Sequence, residues 1–164
     1  MPILAGQIVL ASDTAPPAAT RCRAYSSAGV PGTTNGATTL VPLGAETYDT
    51  AGMHSTVINT SRITVPVSGA YLIIAQIAWA TNASGRRGIF VRKNAGGNGG
   101  AGTQIMVTSQ AASPMSGTTI SVQDVLELAS GDHVEMWAYQ SSGVALDVSS
   151  GETNTFLTVI LQAS

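Results

Sequence analysis

Residues 70–80 have the two-residue period of a β-strand, yet neither face of that strand is polar. One face carries Tyr71, Ile73, Ala75, Ile77 and Trp79; the other carries Leu72, Ile74, Gln76, Ala78 and Ala80. Residues 155–162 repeat the arrangement, with Leu157, Val159 and Leu161 on one side and Phe156, Thr158, Ile160 and Gln162 on the other. An antiparallel strand with one wetted face alternates apolar and polar residues. A strand that is apolar on both sides must be covered twice, once by its own core and once by something else. Left open, an apolar face of this size promotes aggregation, so a second copy of the chain is the simplest cover. Tyr71, Ile73, Ile77, Trp79, Phe156, Leu157 and Ile160 are therefore predicted to supply the core and the interface of an oligomer. A charge at Ile160 or Ile77 is expected to dissociate it.

The rest of the chain follows the same period. Short runs rich in Val, Ile, Thr and aromatics are separated by Gly, Pro, Asn and Ser, and no stretch of ten residues carries a helical stripe. Strands are expected at 21–26, 39–41, 44–48, 56–58, 62–65, 70–80, 88–93, 103–109, 118–128, 133–140, 144–148 and 155–162. Residues 29–39 read as turns. This is an all-β, antiparallel sandwich of around ten strands with extras, of the jelly-roll kind. At 164 residues there is room for one such domain.

Residues 1–20 stand apart. Ile3, Leu4, Ile8 and Val9 make a short apolar hook, and Pro16 and Pro17 favour an extended backbone after it. The segment is predicted to be an arm that grips a neighbour, ahead of a domain spanning 21–164.

Charge narrows the function. Only 10% of residues are charged, against about 25% in an ordinary soluble domain. Seven basic residues and a net charge of −2 leave no electrostatic basis for nucleic-acid binding. Residues 70–80 are the longest apolar run and are too short to cross a bilayer, and the first ten residues lack a basic start and long apolar stretch. Synthesis in a cytoplasm, without membrane insertion, is expected. The lone Cys22 excludes an intrachain disulfide and reads as a small buried hydrophobe.

No catalytic constellation stands out. Gly97, Gly99 and Gly102 match the dinucleotide-binding spacing, but residues 103–107 read as a strand where that fingerprint needs a helix, so a hairpin loop is expected. His54 and His133 are the only histidines. Asp132, His133 and Glu135 form the nearest thing to a metal cluster, but Asp132 and His133 fall on opposite faces of a strand, and Asp132 suits a cap on the turn after Gly131. Glu46, Asp49, Asp124, Glu127, Asp147 and Glu152 are scattered, and Trp79 and Trp137 sit in apolar strands that suit the core. Neither an enzyme activity nor a cofactor nor a metal is expected.

Two segments bear a family likeness. Arg62-Ile63-Thr64-Val65-Pro66-Val67-Ser68-Gly69-Ala70-Tyr71-Leu72 resembles the Pro-x-x-Gly-x-Tyr turn that leads into the long central strand of the tumour necrosis factor and complement C1q globular-head superfamily. Val125-Leu126-Glu127-Leu128-Ala129-Ser130-Gly131-Asp132-His133-Val134 is similar to its second marker, and Asn154-Thr155-Phe156-Leu157 to its closing strand. The resemblance covers roughly residues 40–162. It implies a ten-stranded jelly roll assembled as a homotrimer about a three-fold axis.

Such domains also occur in virions of tailed phages, and the opening Met1-Pro2-Ile3-Leu4-Ala5-Gly6-Gln7-Ile8-Val9 resembles openings of structural proteins from phages of actinobacteria. The expected role is therefore a structural virion protein. It would decorate the capsid or form a fibre or tail tip, anchored by its arm to a major capsid or tail protein. The alternative is a host-surface recognition module that binds glycan or protein through loops 80–87, 95–102 and 110–117.

Overall fold

The computed structural model describes residues 19–162, among which lie twelve strands and no helix. In chain order they are β1 (Arg21–Tyr25), β2 (Val30–Thr33), β3 (Thr38–Leu40), β4 (Ala45–Asp49), β5 (Arg62–Thr64), β6 (Gly69–Trp79), β7 (Arg86–Lys93), β8 (Thr103–Ala111), β9 (Thr118–Leu128), β10 (His133–Gln140), β11 (Leu146–Val148) and β12 (Phe156–Leu161). They form two antiparallel sheets. The larger runs β2-β11-β6-β12-β1-β4, with β9 on the free side of β6; the smaller runs β3-β10-β7-β8, with β5 also pairing β10.

The central strand of the larger sheet is the one that is apolar on both faces. Along β6, Tyr71, Ile73, Ala75, Ile77 and Trp79 are buried between the sheets. Opposite them, β12 contributes Leu157 and Val159, and β9 contributes Ile120. The smaller sheet answers with Ile63, Ile89, Val91, Met106, Val134, Met136 and Ala138. Burying one large aliphatic side chain stabilises the fold by about 1.5–3 kcal/mol, so this layer is the main source of cohesion.

The two segments that carry the family likeness meet at what we call the lower end. Tyr71 Oη donates to the Val67 carbonyl at 2.8 Å and closes the 66–69 turn from inside. Ser130 Oγ donates to the Pro66 carbonyl at 2.8 Å, and the Gly131 amide donates to the Val65 carbonyl at 2.9 Å. Gly131 sits at φ 88°, which suits glycine and few other residues. The chain also enters and leaves at this end: the Leu161 amide donates to the Thr20 carbonyl at 2.9 Å. Loops 80–85, 112–117 and 141–145 crowd the upper end, where the Ala112 amide donates to the Gly85 carbonyl at 3.0 Å and the Ser141 amide to the Arg86 carbonyl at 3.0 Å.

Two expectations need correction. The strand expected at 56–58 is a loop. Ser55 Oγ accepts the amides of Val57 and Ile58, Asn59 takes a left-handed conformation at φ 52°, and Val57 is left 83% exposed. Residues 29–39 are not simply turns, because β2 and the start of β3 lie there. β2 contains Pro31 and Gly32, which is tolerable only because it pairs β11 alone at the edge of the sheet. With one expected strand lost at 56–58 and β2 gained, the described strands number twelve, as many as the segments expected from the sequence. The arm residues Ile3, Leu4, Ile8, Val9, Pro16 and Pro17 lie outside the described residues.

Candidate interaction face and the loops around it

Strand register fixes what the larger sheet presents outward. One row runs Val125, Leu72, Ile160 and Arg21; the next runs Gln123, Ile74, Thr158, Arg23 and Tyr48; a third runs Ser121, Gln76, Phe156 and Tyr25. Leu72, Ile74 and Ile160 are half-buried, and Val125 is 52% exposed. They form one apolar patch across β9, β6 and β12. Two arginines wall its far side. Arg23 lies 3.6 Å over the Phe156 ring and is held there by bonds to Thr158 Oγ1 and the Glu152 carbonyl. Arg21 lies 4.8 Å over Tyr48. These cations shield aromatic faces while keeping their own charge near water. Gln76 ties the 150–155 loop down by donating to the Thr153 carbonyl at 2.6 Å.

The residues predicted to serve core and interface divide between the two faces. Tyr71, Ile73, Ile77, Trp79 and Leu157 point into the sandwich. Phe156 and Ile160 lie on the outer face, Phe156 under Arg23. Ile77 is fully buried, so a charge there acts on the fold before any interface.

The smaller sheet has its own outward face, which sequence reading missed. Glu135 is completely buried there, an acid in the middle of an apolar strand. Both of its carboxylate oxygens accept the Gly97 amide, at 3.0 and 3.1 Å. Ser61 Oγ donates to it at 3.3 Å and Arg62 Nη2 lies at 3.4 Å. His133 Nε2 accepts the Gly96 amide at 3.3 Å and lies 3.9 Å from the same carboxylate. Gly96 and Gly97 have φ 61° and 78°, which turns their amides inward towards that strand. The glycine-rich loop is therefore a lid over the sheet. It rests on Trp137, which is 2% exposed although it faces outward. The signal in the sequence was the two-residue spacing of His133, Glu135 and Trp137, which puts all three on one face.

Other candidates fall into place around these features. Asp132 caps its turn by accepting the Ala129 amide at 2.9 Å and the Asn94 side chain at 2.7 Å. His54 is bracketed by Glu46 Oε1 at 2.8 Å and the Thr60 carbonyl at 3.0 Å, which pins the 50–61 loop. A cavity of about 190 Å³ lies beside it, lined by Met53, His54, Ile58 and Arg62 among others. Pockets for drug-sized ligands run about 300–1,000 Å³. Arg87 is fully buried and donates to the Asn82, Ser84 and Arg86 carbonyls, stitching the 80–85 loop. No three His, Cys, Asp or Glu side chains among the described residues are placed to hold a metal ion. Loops 80–87 and 110–117 share the upper end, whereas 95–102 folds against the smaller sheet nearer the lower end, next to His133 and Asn94. The three loops proposed as one recognition surface are thus split.

Two pH dependences follow from these surroundings. Burial, and then the Arg62 charge, push the His133 pKa down against the pull of Glu135 and Asp132. The folded chain thus refuses a proton that the unfolded chain accepts, and stability falls as pH drops through the ordinary imidazole value of about 6.5. Hydrogen bonds from Asn94 and the Ala129 amide hold Asp132 below the usual carboxylate range. At Asp49 burial works against ionisation, but the amides of Met53, His54 and Ala51 outweigh it and also lower the pKa. The stability these two carboxylates provide is present above the unfolded value and is lost as pH falls through the folded one. A thermal midpoint measured from about pH 8 to about pH 3 is expected to fall in two stages; a flat profile down to about pH 4 would contradict the His133 assignment.

Cys22 behaves as the opposite case. Burial first, then Asp49 and Glu46, push its thiol up to about 12. The thiolate is the reactive form, so maleimide labelling of the native protein is expected to proceed only as fast as the sandwich opens. Labelling at the rate of a free thiol would place Cys22 outside the core.

No family model and no curated protein matches the sequence. Solved structures do match. Murine APRIL at pH 8.0 superposes with a TM-score of 0.65 at 14% identity, covering 88% of this chain and 99% of that one. The Eiger TNF from S. frugiperda gives 0.62 at 13% identity over 89% and 94%. The globular domain of zebrafish complement 1qA gives 0.60 at 13% identity over 88% and 98%. At such identities the likeness is one of fold, and with two antiparallel sheets in this strand order it identifies the chain as a jelly roll of the C1q/TNF type.

Proposed function

We propose that the chain is a non-enzymatic structural subunit that assembles as a homotrimer through the outer face of its larger sheet. The observation that carries this reading is the patch of Leu72, Ile74, Val125 and Ile160, apolar and left only half-buried by the described residues, on a sheet whose other face is already filled. The likeness to the C1q/TNF fold supports the three-fold arrangement. In a tailed-phage virion such a trimer decorates the capsid or caps a fibre or tail tip, with residues 1–20 anchoring it to a major capsid or tail protein. Low charge and the resemblance of the opening residues support that placement.

The test is the native mass of the full-length protein, of a version lacking residues 1–20, and of Ile160→Asp. A carboxylate desolvated at the patch is expected to weaken assembly by about a hundredfold or more and leave a folded monomer. A wild-type monomer, or an Ile160→Asp trimer as tight as wild type, would sink the proposed interface.

A second reading is favoured by a different observation. Met115 is 92% exposed and Val144 55% exposed, both on loops at the upper end. These residues suit recognition of a host-surface glycan or protein. On this reading an excess of free protein blocks adsorption and Met115→Asp abolishes the block; unimpeded adsorption would refute it.

A further inference from the structure

The chain contains two Asn-Gly steps, Asn35-Gly36 and Asn98-Gly99. This dipeptide is chemically vulnerable, because glycine places no side chain in the way of its own amide nitrogen. That nitrogen can attack the asparagine side-chain carbonyl. The two steps sit in opposite environments.

At the first step the nucleophile is occupied. The Gly36 amide donates to the Gln140 carbonyl at 2.8 Å, and Gln140 is completely buried. The Asn35 side chain is held on a separate loop, with Oδ1 accepting the Gly143 amide at 2.8 Å. Reaction requires both bonds to break.

At the second step nothing holds the nucleophile. The Gly99 amide meets no acceptor among the described residues. Asn98 is exposed, so water and base reach it. Its Oδ1 accepts the Gly100 amide at 3.0 Å, the placement that stabilises negative charge as it develops on a carbonyl oxygen under attack. The backbone bonds around it, from the Asn98 amide to the Ala95 carbonyl at 3.1 Å and from the Ala101 amide to the Asn98 carbonyl at 2.9 Å, keep the step within one tight double turn.

We infer that Asn98 is a site of spontaneous modification, and that Asn35 is protected. The Gly99 nitrogen loses its proton to base and bonds to Asn98 Cγ. The side-chain NH2 takes up that proton and leaves as ammonia as its bond to Cγ breaks, and a succinimide remains. One water then opens the ring at either carbonyl, giving aspartate or isoaspartate at position 98. The net reaction consumes one water, releases one ammonia and involves no redox change. Its consequence is local to the lid. Gly99 packs so closely that a Cβ there would lie 3.2 Å from Trp137 Nε1 and 3.3 Å from Thr38 Oγ1. Isoaspartate inserts an extra backbone carbon just before this contact and lifts the lid from Trp137.

The test is incubation of the folded protein at mildly alkaline pH in heavy-oxygen water, followed by digestion and mass analysis of the peptides containing positions 35 and 98. The same chain in denaturant is the reference, since both steps are free there. The ratio of label at 98 to label at 35 is expected to be at least about tenfold higher in the folded protein than in the denatured one. That factor corresponds to about 1.4 kcal/mol, the size of a hydrogen bond that must first open at Gly36. Asn98→Gln removes the label from its peptide and leaves Asn35 unchanged. An equal ratio in the two states, faster conversion at Asn35, or a folded protein that converts at neither step would overturn the assignment.

Discussion

Replacing Glu135 with alanine is expected to cost about 3–5 kcal/mol of stability, the range found when one partner of a buried ion pair is removed. The carboxylate is completely buried and serves three segments at once: the glycine-rich loop through the Gly97 amide, β5 through Arg62, and the approach to β5 through Ser61. Its loss leaves the Gly97 amide and the Arg62 guanidinium facing a dry hole. The thermal midpoint should fall by on the order of 10 °C. Glu135→Gln keeps an oxygen for the Gly97 amide but sets an amide nitrogen among donors, so an intermediate loss is expected. Hydrogen exchange supplies the specific readout: residues 95–102 should lose protection before the core strands do. A midpoint within a degree or two of wild type would show that the network contributes little.

An aspartate at Ile77 is expected to do more damage. Ile77 is fully buried opposite Ile120, in the layer shared by both sheets. The substitution removes a large aliphatic group, worth about 2–5 kcal/mol with its cavity. It also places a carboxylate where no donor waits, which adds several kcal/mol more or forces the group to stay protonated. Domains of this size are stable by only about 5–15 kcal/mol, so little folded protein should remain. Circular dichroism and native mass together separate this result from that of Ile160→Asp, which should keep its β signal and lose only its partners. A folded Ile77→Asp monomer would mean that the inward and outward faces of β6 are reversed.

That contrast marks how far sequence reading reached. Period two with both faces apolar told that β6 carries apolar side chains on both sides of its sheet, because alternation is a local property. It did not tell which face turns inward, since that depends on where the second sheet lies. The turns at 66–69 and 129–132 were legible because Pro66, Gly69 and Gly131 impose backbone geometry by themselves. β2 was not, because Pro31 and Gly32 read as turn-formers and only the pairing with β11 makes a strand of them. The 56–58 segment erred in the other direction. Its β-branched residues suggested a strand, but a hydroxyl at Ser55 captures their amides before any neighbour can. The glycine spacing at 97–102 leads into a strand, β8, rather than a helix, as its flanking residues suggested. What the loop does could not be seen without Glu135 and Trp137 placed beneath it.

The entry of β1 beside the exit of β12 gives the molecule a polarity. The backbone leaves the described fold at Thr20 and at Gln162 from one corner, a single hydrogen bond apart. A pull applied at Thr20 and at Gln162 therefore acts on one corner, and would unzip β1 from β12 rather than shear the sandwich along its length. The loops carrying Met115 and Val144 stand at the far end, a full strand-length away. A domain held at that corner, on the Thr20 side or the Gln162 side, keeps its upper loops pointing away from the point of attachment.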